Sequence, residues 1–480
     1  MDLNASLFLT RSEVILSFSG LALLLLAAWR SDAGRLISIL SVAALAVAGA
    51  YAAHFICAGT KASAFDGLYS NDAFANFSKI LVYIAAAISL MIAPKYLEKA
   101  GAMRAEYPIL IIFACVGMGI MVSATDLITL YIGLELNSLA AYVLASFVRS
   151  DGRSAEAGLK YFVLGALASG ILLYGMSLLY GFTGSTSFAG ISAALSGEIS
   201  LGMIFGIVFV LSGLAFKISA APFHMWTPDV YEGAPTPVSA FFASAPKVAA
   251  SALTIRVAIE AFGSQQDVWQ QIIIAIALMS IIIGAVGAIG QHNLKRLLAY
   301  SSINNIGFLL IGLAAGTEAG VAAMLVYLAI YVAMTLGSFI CIMQLHGADG
   351  ELKEGLADVA GLSKTRPALA ACLAIFMFSL AGIPPLFGFW GKLVVFNAAV
   401  AAGLLPLAVI GIAASVIGAF YYLKIVKLMY FDEPADTIIA SNSRALTWTG
   451  SALAVIVSPL GYLAIPVLAA VTAQAAKALF

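Results

Sequence analysis

Four charged side chains stand where the sequence is otherwise apolar, and together they have the chemistry to bind and pass on protons. Glu135 lies in the run Leu-Tyr-Ile-Gly-Leu-Glu-Leu-Asn-Ser, and Lys247 lies in Ser-Ala-Pro-Lys-Val. Lys217 and Lys392 each lie close to a proline inside an apolar segment. Burial favours the neutral amine of a lysine, whereas a nearby carboxylate favours its ammonium form. A buried lysine whose carboxylate neighbour can move is therefore able to bind and release a proton.

A structural alternative exists, because a buried Glu–Lys pair can simply fix the packing of two helices. One acid and three lysines on separate segments exceed what one packing pair requires, which favours a proton relay. Two histidines are further candidates. His224 follows Pro222, and His292 precedes Asn293, each at the edge of an apolar run where it could shuttle or gate protons. A hydrogen-bonded or solvated loop histidine is the alternative for both.

Other charged and aromatic residues have simpler interpretations. Lys79, Arg256 and Glu260 lie toward the ends of apolar runs, and we expect them to reach the interface or to pair locally. Tyr421, Tyr422 and Lys424 end span 13 and could continue a polar path, although an interfacial aromatic belt is the preferred interpretation.

An acidic segment follows His224. Asp229 and Glu232 could collect protons there or only form a turn. Arg296 is expected to be an anchor at the cytoplasmic surface.

The composition excludes most classes of protein. Of the 480 residues, 62% are hydrophobic and 10% are charged, the formal net charge is +0, and the mean hydropathy is +1.03. Soluble proteins carry about 25% charged residues. The 24 basic and 24 acidic residues are too few to coat soluble domains, and there is no basic patch for nucleic acid. These numbers indicate a membrane protein.

Motifs for redox, metal and nucleotide chemistry are missing from the sequence. Cys57, Cys115, Cys341 and Cys372 stand singly inside apolar runs, with no CxxC and no Cys/His cluster. No histidine pair has haem spacing, and neither GxxxxGK[ST] nor a helix-opening GxGxxG occurs. We therefore expect this chain to bind no metal, nucleotide or redox cofactor.

The elements that position the charged residues are membrane-spanning helices. Apolar runs of about 20 residues match an α-helix crossing a bilayer, and they lack the alternation of β-barrel strands. The sequence predicts an all-α polytopic membrane protein with about fourteen spans: 12–29, 36–57, 72–93, 107–125, 127–147, 157–180, 200–223, 236–262, 268–290, 296–316, 319–345, 367–398, 402–430 and 446–470. Glu135 and Lys247 would lie deep within spans 5 and 8.

Lysine and arginine predict the orientation. Sixteen of them lie on the side of the loops that follow odd-numbered spans, and three lie on the side of both termini. Both termini should therefore face away from the cytoplasm. The first apolar run has no basic start and no small-residue cleavage site, so no cleavable signal is expected.

A motif that occurs twice in the sequence predicts inverted repeats. Span 7 carries Pro222 shortly before Trp226, and span 12 carries Pro384 and Pro385 shortly before Trp390. Proline interrupts a helix, and the two spans cross in opposite directions. We predict five-helix repeats at spans 4–8 and 9–13 within one membrane domain: residues 1–106 as three N-terminal helices, 107–262 and 268–430 as the repeats, and 446–470 as the last helix.

Four segments, 133–138, 216–229, 295–302 and 381–392, resemble the antiporter-like membrane subunits of respiratory complex I, the proton-translocating NADH:quinone oxidoreductase. The same superfamily includes multisubunit cation/proton antiporters. The resemblance implies that Glu135 pairs with Lys217 and that Lys247 lies on a central hydrated axis. It further implies that Lys392 is the last relay group toward the outside. Lys217 precedes its proline and Lys392 follows its own, so which of them faces the proton input stays open.

Within the superfamily, a lysine at position 392 and the lack of a long C-terminal lateral helix favour the shorter complex I members. The resemblance implies a multi-pass protein of the bacterial inner membrane, surrounded by lipid. Its expected partners are other complex I membrane subunits, including a second antiporter-like subunit and small hydrophobic subunits. NADH, FMN, iron–sulfur clusters and quinone are expected elsewhere in that complex.

The resulting hypothesis is that quinone reduction elsewhere shifts the Glu135–Lys217 pairing. Protons would then pass through water and Lys247 to Lys392. The alternatives are a subunit of a cation/proton antiporter without redox coupling and a purely structural spacer.

Overall fold

The computed structural model describes residues 3–30, 33–347, 350–434, 438 and 443–480. Helices account for most of it. Their bounds are α1 (Leu3–Leu9), α2 (Arg11–Trp29), α3 (Gly34–Cys57), α4 (Ala73–Lys99), α5 (Glu106–Ser123), α6 (Leu127–Ala145), α7 (Gly152–Thr183), α8 (Phe188–Leu195), α9 (Leu201–Ile218), α10 (Trp226–Gly233), α11 (Thr236–Phe242), α12 (Ala245–Arg256), α13 (Gln266–Ile289), α14 (Leu294–Ala314), α15 (Glu318–Ile342), α16 (Leu362–Thr365), α17 (Pro367–Ala381), α18 (Phe387–Ala401), α19 (Leu405–Phe431), α20 (Arg444–Val457) and α21 (Ile465–Lys477). Strands β1 (Ala62–Ala64) and β2 (Tyr69–Asn71) form a small antiparallel hairpin.

The predicted spans match this architecture. Across the described ranges, 13 helical segments are long and apolar enough to cross a membrane. The predicted span 12 falls on α17 and α18, which are shorter apolar helices on either side of a break. Every predicted span thus coincides with one helix or with an interrupted helix. The prediction of an all-α, multi-pass membrane protein is confirmed.

Local signals in the sequence start several of these helices. Asp126 accepts a hydrogen bond from the Ile128 amide (2.8 Å) and caps α6. Asn293 accepts one from the Lys295 amide (2.9 Å) and caps α14 in the same way. Such caps satisfy amide groups that have no partner within the helix. The chain can then continue as helix through surroundings that offer the backbone no water.

The packing of the first repeat recurs in the second. Helix α5 packs on α6 and α12, and α13 packs correspondingly on α14 and α19. Glycine permits the close approach at matching points. A Cβ on Gly117 would lie 2.6 Å from the Gly133 carbonyl oxygen, and one on Gly284 would lie 2.5 Å from the Asn304 amide nitrogen. Both contacts leave no room for a side chain.

Interruptions occur at both predicted places and at two others. The predicted span 7 covers α9 and the break after it, and α10 begins just beyond the span; span 12 is divided into α17 and α18. The predicted span 8 is also divided, between α11 and α12, and it ends in a π-helical turn, Val257–Ala261. The last span is interrupted at Ser458. The sequence pattern predicts neither of these two interruptions, and it does not predict the short helix α1 or the β-hairpin.

Candidate functional site

The break in span 7 creates the first part of the site. Helix α9 ends at Ile218, its capping residue Ser219 has a left-handed φ of 63°, and the Ala221–Pro222 bond that follows is cis. Trp226 begins α10, and its indole nitrogen donates a hydrogen bond to the Phe216 carbonyl (3.0 Å). The Thr227 hydroxyl donates to the Ser219 hydroxyl (2.6 Å). The side chains of α10 therefore fold back onto the end of α9 and hold the break in one geometry.

Lys247 lies at this break. Its side chain is 1% exposed, and its Nζ donates to the Ile218 carbonyl oxygen (2.8 Å) and to the Ser219 hydroxyl. Its ammonium also lies 5.5 Å from the centre of the Trp226 ring. A helix C-terminus carries partial negative charge on its unpaired carbonyls. The end of α9 therefore stabilises a cation that no carboxylate contacts directly.

Lys392 occupies the corresponding place at the break in span 12. Helix α17 ends at Ala381, its capping residue Gly382 has a φ of 84°, and the Pro384–Pro385 bond is cis. Lys392 is 6% exposed, and its Nζ donates to the Ala381 carbonyl oxygen (3.0 Å) and to the Ser415 hydroxyl (2.9 Å). In both repeats an ammonium group thus binds the carbonyl oxygen just before a left-handed residue.

Lys217 is the next-to-last residue of α9. Its Nζ donates to the hydroxyls of Ser138 (2.9 Å) on α6 and Ser169 (3.3 Å) on α7. Among the described residues, no ion pair within 4.0 Å joins it to Glu135, and the buried Oε1 of Glu135 has no hydrogen-bond partner. Ser138 lies on the same face of α6 as Glu135. The two charges therefore face a common region, but the direct pair implied by the resemblance is replaced by a hydroxyl contact.

A network of neutral polar groups follows in the second repeat. Tyr331 donates to the Ser302 hydroxyl (2.8 Å), and Tyr327 donates to the Asn305 side-chain oxygen (2.5 Å). The Asn305 amide donates to the Tyr422 hydroxyl (3.2 Å). All of these residues are buried. Hydroxyl and amide groups that are hydrogen-bonded in series can carry protons between charged groups, given water at the gaps.

Only part of this network was predicted from the sequence. Tyr421 is 0% exposed and Tyr422 is 2% exposed, so the expected interfacial belt is wrong for both. Tyr422 shares a 2.5 Å hydrogen bond with Ser301, and Tyr421 accepts one from Asn304 (3.2 Å). The sequence carried a signal for this network, because polar residues that recur at helical spacing within an apolar helix must find hydrogen-bond partners.

The two histidines differ in their surroundings. His224 lies between α9 and α10 and is partly buried, and its Nδ1 has no hydrogen-bond partner among the described atoms. His292 is exposed, and its backbone carbonyl accepts a hydrogen bond from the Leu356 amide (2.7 Å). The structure therefore brings His224 near the break at Ser219 and leaves His292 at the surface.

A cluster of ion pairs lies beside α10. Asp229 accepts hydrogen bonds from Lys160 (2.8 Å) and Arg296 (2.6 Å), and Arg296 also pairs with Glu232 (3.0 Å). Partial burial raises the pKa of Asp229, but Lys160 and Arg296 outweigh it and hold that pKa below its usual value. Arg296 is thus more than a surface anchor, because it ties α14 to α10.

A second buried cluster joins α2, α4 and the end of α12. Lys79 pairs with Glu13 (2.7 Å), and Arg256 pairs with Asp72 (2.8 Å) and Glu260 (2.7 Å). Arg256 is 0% exposed and Lys79 is 1% exposed, so neither reaches the interface; the expected local pair between Arg256 and Glu260 is present. Buried, mutually paired charges of this kind fix the position of helices. This cluster anchors the end of α12 to the N-terminal helices.

Comparison with known proteins bears on the same residues. Residues 124–418 match the model of a family described as NADH:quinone oxidoreductase/Mrp antiporter, transmembrane. That range contains every candidate relay residue. A protein of Erythrobacter litoralis named NADH-quinone oxidoreductase subunit N is 61% identical over 100% of this chain and 99% of its own length. One of Rhizorhabdus wittichii with the same name is 63% identical over the full length of both.

The chain belongs to the subunit N family of NADH-quinone oxidoreductases. The resemblance drawn from the sequence motifs is confirmed, and so is the preference for this type within the superfamily. A chain in the respiratory complex I of Thermus thermophilus, solved with bound aureothin, has a TM-score of 0.80 at 31% identity, covering 95% of this chain and 99% of its own.

The antiporter alternative is the weaker one. A chain of the Mrp complex from a Dietzia species has a TM-score of 0.85 over 100% of this chain and 98% of its own, but it is 23% identical. That likeness concerns the fold alone. The curated relatives named subunit N cover the whole chain at more than twice that identity.

Proposed function

We propose that this chain is the subunit of an NADH:quinone oxidoreductase that moves protons across the membrane through Glu135, Lys217, Lys247 and Lys392. It acts as part of a translocase and holds no redox centre itself. Electron transfer from NADH to quinone, with FMN and iron–sulfur clusters, takes place in other subunits. Its neighbours are a second antiporter-like subunit, small hydrophobic subunits and lipid. Its membrane is the bacterial inner membrane, with both termini on the non-cytoplasmic side.

One observation carries the proposal. In each repeat a buried ammonium donates to the last helical carbonyl before a break, Lys247 to Ile218 (2.8 Å) and Lys392 to Ala381 (3.0 Å). Neither ammonium has a carboxylate within 4.0 Å in the described part of the chain. A cation held only by neutral dipoles gives up its proton more readily than one in an ion pair. Both lysines are therefore suited to transfer.

The first repeat supplies the switch. Lys217 is held by the hydroxyls of Ser138 and Ser169 rather than by Glu135. A small shift of α6 or α9 would bring the carboxylate and the ammonium together and raise the proton affinity of the amine. The reverse shift would release the proton toward Lys247. The redox reaction drives this alternation by changing the field or the contacts along the polar residues.

His224 and His292 take different places in this scheme. We propose that His224, beside the break, exchanges protons with the first repeat. His292 is exposed, and for it a gate at the mouth remains a prediction. The division into residues 1–106, 107–262, 268–430 and 446–470 likewise stays a proposal, supported by the recurring packing of the two repeats.

Purification of the tagged chain from its native membrane in mild detergent tests the assignment. We expect NADH:quinone reductase activity, flavin and iron–sulfur signals to be purified with it. When the complex is reconstituted in vesicles, the pH of the lumen should change during NADH oxidation. Co-purification of small membrane proteins alone, with cation-dependent proton exchange, would show an antiporter instead.

A substitution then tests the relay. Lys392→Met in the assembled complex should lower the number of protons moved per NADH. The matched control is Lys364→Met, because Lys364 is a surface lysine paired with Glu433 (2.8 Å) and it should leave that number unchanged. Equal proton yields in the two variants would remove Lys392 from the path.

A further inference from the structure

A groove lies on the outside of the first repeat, away from the relay residues. It encloses about 630 Å³ between the end of α2, the start of α5, the end of α6 and the start of α7. Phe113, Val143 and Leu159 give it apolar walls. Its volume is within the range of sites that bind small molecules, roughly 300–1,000 Å³.

Two arginines stand at one end of this groove. Arg104 precedes α5 and Arg149 follows α6, and both are exposed. Neither has a carboxylate within 4.0 Å in the part of the chain that the structure describes. Arg35 in the adjoining α3, by contrast, is paired with Glu98. The groove therefore has two unneutralised guanidinium groups at its mouth.

The groove is charged at its surface end and apolar at its inner end, which matches the headgroup and the acyl chains of a lipid. Both arginines come from loops on the predicted cytoplasmic side, at the height of the headgroups. Phe113 lies two turns further along α5, or about 10 Å deeper at 1.5 Å per residue. A ligand in the groove would thus meet positive charge at the surface and apolar side chains toward the membrane interior. Basic pockets between membrane helices on that side bind anionic lipid headgroups.

We propose that this groove binds one anionic phospholipid. Its phosphate lies between Arg104 and Arg149, each of which can donate two parallel hydrogen bonds to phosphate oxygens. One acyl chain follows Phe113 and Leu159 into the membrane. Glu106 also lines the mouth, so the two arginines leave a net positive charge there. That balance favours a phospholipid with net negative charge over a zwitterionic one.

Photocrosslinking in the intact complex tests this assignment. The probe is phosphatidylglycerol with a diazirine on one acyl chain, added as a minor component to phosphatidylcholine vesicles that hold the complex. We expect crosslinks in peptides from α5 and α7. Arg104→Gln together with Arg149→Gln should lower their yield about tenfold, because each lost arginine removes charge-assisted hydrogen bonds. Unlabelled phosphatidylglycerol should compete better than phosphatidylethanolamine or phosphatidylcholine.

Two further variants make the test specific. Arg444→Gln removes an exposed arginine at the start of α20, outside the groove, and should leave the crosslinks unchanged. Ala155→Trp, at an exposed position in the groove, should block them while both arginines remain.

Three outcomes would overturn the proposal. They are an unchanged yield in the double arginine variant, equal competition by zwitterionic lipids, and no crosslink in the wild-type complex because a neighbouring subunit covers the groove. The readout is independent of proton transport, so it separates this site from the relay.

Discussion

The helices before the two breaks, α9 and α17, end in the same way, but the lysine that binds the helix end comes from a different helix in each case. Helices α9 and α17 are both capped by a left-handed residue that precedes a cis proline bond. At the end of α9 the ammonium comes from Lys247 on the next helix, α12. At the end of α17 it comes from Lys392 on α18, the second half of the same span, and Ser415 of α19 completes its contacts. Both repeats thus place an ammonium group at the end of the first helix of the break, but the lysine that carries it comes from a different helix in each repeat.

This difference explains why aligning the two proline motifs does not pair the relay lysines. Relative to the cis proline, Leu380 stands where Lys217 does, and Asp229 stands where Lys392 does. The break itself creates the requirement, because exposed carbonyls at a helix end attract a cation. Either neighbouring helix can supply it.

The central helices of the two repeats differ in a second way. Glu135 in α6 corresponds to Ser302 in α14, counted from the capping residues Asp126 and Asn293. In the first repeat, the side-chain oxygens of Glu135, Asn137 and Ser251 are buried without a hydrogen-bond partner among the described residues. In the second, Ser302 is bonded to a tyrosine, and Asn304 Oδ1 is the one buried oxygen of α14 without a partner among the described residues. Unsatisfied buried oxygens recruit water. We infer that the first repeat is the adjustable half and the second a preformed connection.

The largest expected effect comes from removing the amine at the first break. Lys247→Met should lower proton transport during NADH oxidation about tenfold or more, since a positioned acid–base group contributes at least that much. Lys247→Arg keeps the charge but cannot release a proton, so it should not restore transport. The measurement is the lumenal pH change of vesicles, with Lys427→Met, at an exposed lysine paired with Asp432, as control. Full transport in the arginine variant would mean that Lys247 acts as a fixed charge.

Substitutions in the central helices α6 and α14 should have smaller effects on proton transport, and the effect should differ between the two helices. Glu135→Gln keeps the shape but removes the acid, and we expect a loss of transport approaching tenfold. Ser302→Ala removes only a hydroxyl from the hydrogen-bonded network and should cost about two- to threefold. Protons moved per NADH would be compared at matched oxidation rates. Equal losses in both variants would contradict the division into an adjustable and a preformed half.

The stability of the complex should show a still smaller difference between the two repeats. Tyr331→Phe leaves Ser302 without its donor and should cost about 1 kcal/mol. Tyr107→Phe removes a buried hydroxyl in the first repeat that has no partner in the described region, so it should cost close to nothing. Thermal inactivation of the purified complex measures both. A larger loss at Tyr107 than at Tyr331 would reverse the comparison.

The smallest effect is expected at Asp229, the counterpart of Lys392. Lys160 and Arg296 outweigh the effect of burial and hold its pKa below the usual value. The carboxylate therefore stays ionised above its normal pKa and is neutralised only as the pH falls through the lowered one. Asp229→Asn should change transport by less than about twofold and leave the pH profile between about 6 and 8 unshifted. A shifted profile would place Asp229 among the titrating relay groups.

The spans and the two principal breaks could be predicted because their causes are local. A run of apolar residues is enough for a membrane helix, and Pro222 or Pro385 is enough to end one. The break before Ala245 was missed, although Pro246 stands beside it. Its neighbourhood reads as one apolar run, and no second breaker marks the end of α11.

The contacts of the site could be predicted only in part. Lys217, Lys247 and Lys392 stand out because charge is rare in an apolar run. Their partners do not, because the Ile218 and Ala381 carbonyls are free only after the helix has ended. The buried pair between Arg256 and Asp72 joins residues far apart in the sequence, and periodicity carries no information about such contacts. Tyr421 and Tyr422 were assigned to an interfacial belt because their partners, Asn304 and Ser301, lie on another helix.

The most direct test is to move the ammonium from one helix to the other within the second repeat. Lys392→Ser alone should abolish most proton transport. Lys392→Ser combined with Ser415→Lys exchanges two side chains that touch (2.9 Å) and places the amine on the following helix, as Lys247 is placed in the first repeat. If the position at the end of α17 is what matters, the double variant should recover a substantial part of the protons moved per NADH. No recovery in an assembled, NADH-oxidising complex, or full transport in the single variant, would contradict that claim.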